Sequence, residues 1–115
     1  MSLTEQQVQE IISRSHETGD YSALVEAIPY ARMIGMQVTR LGSEAFFRLP
    51  SAQNNIGNPV LPALHGGVIA GFMEQSAMLH LMMFMNSEVF PKIIDFSVDY
   101  LRAGLYRDTY ASCQV

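Results

Sequence analysis

Near the middle of the 115-residue chain, His65-Gly66-Gly67 sits inside an apolar run, Ala63 to Met85, that carries a single carboxylate, Glu74. A helix N-terminus presents unpaired backbone N–H groups and the positive end of the dipole, so a His-Gly-Gly start can hold an anion or an oxyanion. On the functional reading, the amide of Gly66 or Gly67 polarises a carbonyl and stabilises the charge that builds as it is attacked. On the plain reading, His65 is a polar cap and the glycines only permit close packing. Glu74 lies among Phe72, Met73, Ala77, Met78 and Leu79, which leave little polar face. A buried carboxylate there needs a specific partner or a raised pKa; the plain alternative is a solvated stripe or a structural hydrogen bond.

Glu74 follows Gly67 by seven residues, two helical turns and about 10 Å along the axis. One helix cannot place both groups on the same small functional group. If they cooperate, the glycine of one subunit must meet the glutamate of another. The composition agrees with an oligomer: apolar residues make up 49% of the chain, charged residues 16%, and mean hydropathy is +0.12. That is more apolar surface than one small core uses.

Several functions are excluded by composition. The net charge of −4 and seven scattered Lys and Arg give no basic footprint for nucleic acid. The single Cys113 cannot form an internal disulfide, and no basic segment followed by an apolar one opens the chain, so a cytoplasmic setting is expected. Glu74, Gln75 and His80 interrupt the run from Val68 to Met85, so no membrane span is expected. His80 has no second ligand at metal-binding spacing and reads as a satisfied core or interface histidine. No metal and no cofactor are expected. Met73, Met78, Met82, Met83 and Met85 read as pliable core or interface, and would also suit a pocket for a varied acyl chain.

The elements that must position these residues follow from patterning. Thr4 followed three residues later by Gln7 has the capping-box form, and Val8, Ile11 and Ile12 recur at helical spacing, which predicts a helix from about Glu5 to His16. A helical turn from Ser22 to Ile28 follows, completing a helical segment over about residues 1–28. Ala31–Arg40 alternates loosely and Ser43–Pro50 more clearly; both are predicted strands, joined by a turn at Leu41-Gly42-Ser43. Ser51–Pro62, rich in Asn, Gly and Pro, is predicted as an ordered loop feeding the long helix. Two more strands are predicted at Lys92–Leu101 and Thr109–Val115. The order of helix, two strands, long helix and two strands suits a single α+β domain over residues 1–115, with an antiparallel sheet curled around one helix.

Leu64-His65-Gly66-Gly67-Val68 with Glu74 nine residues after the histidine resembles the hotdog-fold acyl-CoA thioesterases of the phenylacetate-pathway and hydroxybenzoyl-CoA type. The resemblance extends through IPYARMIGMQV, GNPVLPALHGGV and DFSVDYLRAG. It implies a hotdog fold with the active site between subunits of a homodimer or a dimer of dimers, and an acyl-CoA as the partner molecule. Carried over by position, Glu74 is the nucleophile or the general base for water, and the Gly66 amide holds the thioester oxygen. His65 and Gly67 border the substrate, and Met78, one turn after the acid, lines it. Relatives often place Asn or Gln six residues before the histidine; Pro59 stands there, so the neighbouring Asn58 is the candidate for that orienting role. The family also adds one or two strands beyond the one reached here at Val115. Arg102 and Arg107 are candidates to meet coenzyme A phosphates, because guanidinium groups suit bidentate phosphate contacts; a solvated turn is the alternative.

Two rivals are weaker. A hotdog dehydratase shares part of GNPVLP but needs a histidine where Asn54 and Asn55 stand and an acid where Val68 stands. A non-catalytic acyl-CoA-binding module, or a degenerate thioesterase, is suggested by Pro59, Met78 and Ile93 and opposed by Glu74.

Overall fold

The computed structural model describes residues 3–51, 66–85, 89–102, 104 and 107–115, and the backbone alone at 56–58 and 63–64. Helix α1 (Glu5–Thr18) starts as the sequence requires. The Thr4 hydroxyl accepts from the Gln7 N–H at 3.1 Å, and the Gln7 side chain accepts from the Thr4 N–H at 2.8 Å, so two donors that no helix can satisfy internally are paired. α2 (Ser22–Ala27) follows after the Asp20 carboxylate accepts from the Ser22 N–H at 3.0 Å.

The next element corrects the sequence reading. Residues Pro29–Ile34 form a third helix, α3, and the strand expected from Ala31 is confined to β1 (Gln37–Leu41). Proline at the first helical position loses no hydrogen bond and has the right φ already. Gly35, at φ 76°, adopts the left-handed conformation that ends a helix, and the Gly35 and Met36 amides donate back to the Arg32 and Ala31 carbonyls. The loose alternation of ARMIG is a helical face: Ala31 and Ile34 are the buried pair.

β1 turns at Gly42-Ser43 into β2 (Glu44–Leu49), pairing antiparallel from Gln37↔Arg48 to Leu41↔Glu44. β3 (Ile56–Asn58) pairs irregularly with β4 (Ala63–Leu64), which leads into the long helix α4 (Gly66–Phe84). β5 (Thr109–Ala111) lies antiparallel on the far side of β2, which makes β2 the centre of a three-stranded sheet. The strand expected over Thr109–Val115 is thus real but shorter.

The strand expected at Lys92–Leu101 is absent from the described residues, which follow an irregular path there. Period-2 patterning marks two faces but supplies no ladder partner. Neither face is covered: Ile94 is fully exposed and Leu101 is 89% exposed.

β2 shows why the sheet and α4 belong together. Ala45, Phe47 and Leu49 alternate inward and are buried, as are Phe72, Leu79, Met82 and Met83 of α4. Ile12, Leu24, Val25 and Ile34 close the same core from the N-terminal helices. Each such side chain contributes about 1.5–3 kcal/mol when withdrawn from water. The result is an α+β architecture, an antiparallel sheet packed on one long helix.

Candidate functional site

α4 begins at Gly66, so the two glycines form its first turn, where the backbone N–H groups lack partners within the helix. Both glycines are exposed. At helical spacing Gly67, Gly71, Glu74 and Met78 recur at i, i+4, i+7 and i+11, which makes a single stripe. Glu74 and Met78 on that stripe are half-buried, while Phe72, Ser76 and Leu79 face the core. Among the described residues no cationic side chain forms an ion pair with Glu74. A half-buried carboxylate without a counter-charge remains open to water or to a ligand.

Arg102 and Arg107 line one cavity of about 450 Å³, with Ile69 and Met73 of α4, Tyr100 and Asp108 among its walls. Tyr100 ties this cavity to the helix start, since its hydroxyl donates to the Gly66 carbonyl at 2.8 Å. Ile69 and Met73 fall about 200–240° around the helix from Gly67 at 100° per residue. The arginine cavity and the Glu74 stripe therefore lie on different faces of α4, with Met73 about 100° around the helix from Glu74. Within one chain, Tyr100 ties Gly66 to the cavity that the arginines line, and Glu74 is not among the lining residues.

Asp108 in the same wall is held by the rest of the sheet. Its carboxylate accepts from the Ser51 backbone N–H at 2.9 Å and from the Arg48 guanidinium at 2.6 and 3.0 Å. The Ser51 amide first, and then Arg48, hold its pKa below the usual aspartate value. Arg48, between Gln37 and Asp108, thus links β1, β2 and the start of β5.

Some expected site residues lie elsewhere. His65 is outside the described residues, and Asn58 is described only by its backbone, in β3 opposite Ala63. His80, expected to be satisfied, has a buried Nδ1 with no hydrogen-bond partner among the described residues and packs at 4.7 Å against the Phe84 ring. The methionines divide: Met82 and Met83 are core, Met73 and Met85 are exposed. Among the described residues no three His, Cys, Asp or Glu side chains gather as metal ligands, and no helix is long and apolar enough to cross a membrane.

Sequence reasoning missed two contacts. One is the Tyr100 hydroxyl on Gly66. The other is Tyr30, whose ring lies against α4 at Gly71: a Cβ there would stand 2.6 Å from Tyr30 Cε2 and 2.7 Å from Cζ, and against the hydroxyl. Glycine on the site stripe was a signal for close approach, but nothing in the sequence says what approaches.

A sequence model of the thioesterase superfamily matches residues 61–115, which contain the glycines, Glu74 and both arginines. The solved structure of a protein from Chromobacterium violaceum is 38% identical, with 91% of this chain and 72% of that one aligned at a TM-score of 0.71. This chain belongs to the thioesterase superfamily. A second structure, of a protein from the thioesterase superfamily, aligns over 90% of this chain and 70% of its own at a TM-score of 0.68; at 20% identity it speaks for the hotdog fold alone. No curated protein gives a significant match. Superfamily membership supports thioester hydrolysis as the general chemistry.

Proposed function

We propose that the protein hydrolyses an acyl-CoA thioester to a free acid and coenzyme A at a site shared between two copies. The observation that carries this reading is Glu74: a half-buried carboxylate without an ion-pair partner among the described residues, on a stripe that starts at the exposed glycines. The two helical turns that separate Gly67 from Glu74 on α4 support the sharing. One copy offers Gly66 with Arg102 and Arg107 beside it, and a second offers Glu74. The exposed apolar residues Ile94, Leu101 and Tyr110 supply surface for a homodimer or a dimer of dimers.

In this mechanism the thioester oxygen lies at the Gly66 amide, and Gly67 lets it approach the backbone. Glu74 takes a proton from water as the oxygen of that water attacks the carbonyl carbon. The tetrahedral oxyanion collapses, the C–S bond breaks, and the coenzyme A thiolate leaves and is protonated. In the alternative route the Glu74 carboxylate attacks the carbonyl carbon, the C–S bond breaks and the coenzyme A thiolate leaves and is protonated, and water then cleaves the mixed anhydride to release the acid and restore Glu74. Asn58 orients the carbonyl or the water, His65 and Met78 border the acyl group, and Arg102 and Arg107 hold phosphate. No cofactor enters either route, and a cytoplasmic acyl-CoA pool would supply the substrate.

The test is release of free thiol from acetyl, medium-chain, long-chain and aromatic acyl-CoA esters by the native chain and by Glu74→Gln. Hydrolysis of some esters by the native chain, with a loss of about 10²-fold or more in the variant, is expected. A folded, oligomeric native chain that binds these esters without cleaving them overturns hydrolysis and leaves an acyl-CoA-binding module.

A further inference from the structure

The ring of Tyr30 sits where a side chain on α4 would otherwise be. Gly71 stands between Gly67 and Glu74 on one helical stripe, and the phenol fills the space its missing Cβ leaves. Tyr30 comes from α3, is half-buried, and packs against the core. That packing resists displacement of the ring. The outer end of a fixed aromatic side chain therefore lies on the line that joins the oxyanion end of the stripe to its carboxylate.

We infer that Tyr30 is a specificity-determining residue, the wall that limits the size of the acyl group next to the attacked carbonyl. The inference rests on the hydrolytic reading only for where the carbonyl lies. A thioester held at the first turn of one copy, with its carbon reached by Glu74 of the other, lies within about one helical turn of Gly71 in each copy, since Gly71 is four residues from Gly67 and three from Glu74. At Gly71 the acyl chain meets an aromatic ring packed against the core and close to the helix backbone, not the flexible methionine that stands at Met78 one turn beyond Glu74. Small acyl groups end before the ring, and larger ones must pass it or displace it. A fixed aromatic wall discriminates by steric exclusion, and a single methylene at such a wall changes relative rates by about 10–200-fold.

The experiment compares native, Tyr30→Phe and Tyr30→Ala proteins on the same series of straight-chain acyl-CoA esters, with kcat and KM measured separately. Binding of the series to Glu74→Gln and to Glu74→Gln/Tyr30→Ala is measured by calorimetry. Tyr30→Ala is expected to raise kcat/KM for esters longer than the native optimum by about tenfold or more relative to the optimum, chiefly through KM. Tyr30→Phe keeps the ring and is expected to keep the native order. A residue that only supports the fold would lower all esters alike, so an unchanged order in a folded Tyr30→Ala protein overturns the inference while leaving hydrolysis intact. If the native chain binds the esters without cleaving them, the hydrolytic reading falls, and the calorimetric order still decides for or against the wall. If nothing is bound or cleaved, both fall.

Discussion

Replacing Gly71 with alanine sets two known effects against each other. In the interior of a helix, glycine to alanine stabilises by about 1 kcal/mol, because the glycine backbone has more freedom to lose. Here the added methyl would stand 2.6 Å from Tyr30 Cε2 and 2.7 Å from Cζ, closer than carbon atoms approach without displacement. Overpacking of this kind costs about 1–3 kcal/mol, and Tyr30 is packed on the core and cannot simply turn outward. The sum for Gly71→Ala is a loss of about 0–2 kcal/mol. In a Tyr30→Ala background the obstacle is gone and the same substitution should stabilise by about 1 kcal/mol. The double-mutant cycle should therefore show a coupling of about 1–3 kcal/mol. Urea unfolding of the four proteins at one fixed protomer concentration measures it, since association shifts apparent stability. If Gly71→Ala stabilises the native chain as much as the Tyr30→Ala chain, Tyr30 does not approach Gly71 this closely.

Other perturbations probe the frame around the site. Thr4→Ala removes one half of the capping box and should cost about 1 kcal/mol of stability, read from the urea midpoint. Asp108 has a folded pKa below its unfolded value, so its contribution is fully present above the unfolded pKa and is lost as pH falls through the lower folded one. Below about pH 4, unfolding of the native chain should therefore steepen, and Asp108→Asn should be less acid-sensitive while starting from lower stability at pH 7. Burial pushes the Cys113 thiol pKa up, so alkylation by iodoacetamide near pH 8 should run slower than for an unfolded control and accelerate only at higher pH.

What could be seen in the sequence was whatever is local. The capping box at Thr4, the turn at Gly42 and the start of the long helix near Gly66 each follow from residues a few positions apart. α3 was legible in principle from Pro29 and Gly35, but the loose alternation over Ala31–Arg40 outweighed them. Lys92–Leu101 failed differently, because an alternating pattern is necessary for a half-buried strand and not sufficient without a neighbour. In the site, Glu74 and Gly66 stood out by type and spacing. Tyr100 on Gly66 and Tyr30 on Gly71 join residues 34 and 41 positions apart, and no periodicity encodes such meetings.

The placement of β2 bears on the order in which the chain can assemble. β1 and β2 pair across eleven residues or fewer, so their hairpin can close as soon as residue 49 leaves the ribosome. The second edge of β2 must wait for Thr109–Ala111, and Asp108 must cross about sixty positions to reach Arg48. Through the whole synthesis of the apolar α4, the central strand is therefore an open edge, with unpaired backbone groups beside Phe47 and Leu49. Such long-range closure is slow, and exposed edges beside apolar segments are where nascent chains stick to one another. The three residues of β5 and the Arg48–Asp108 clasp thus end a period of vulnerability as much as they complete a sheet.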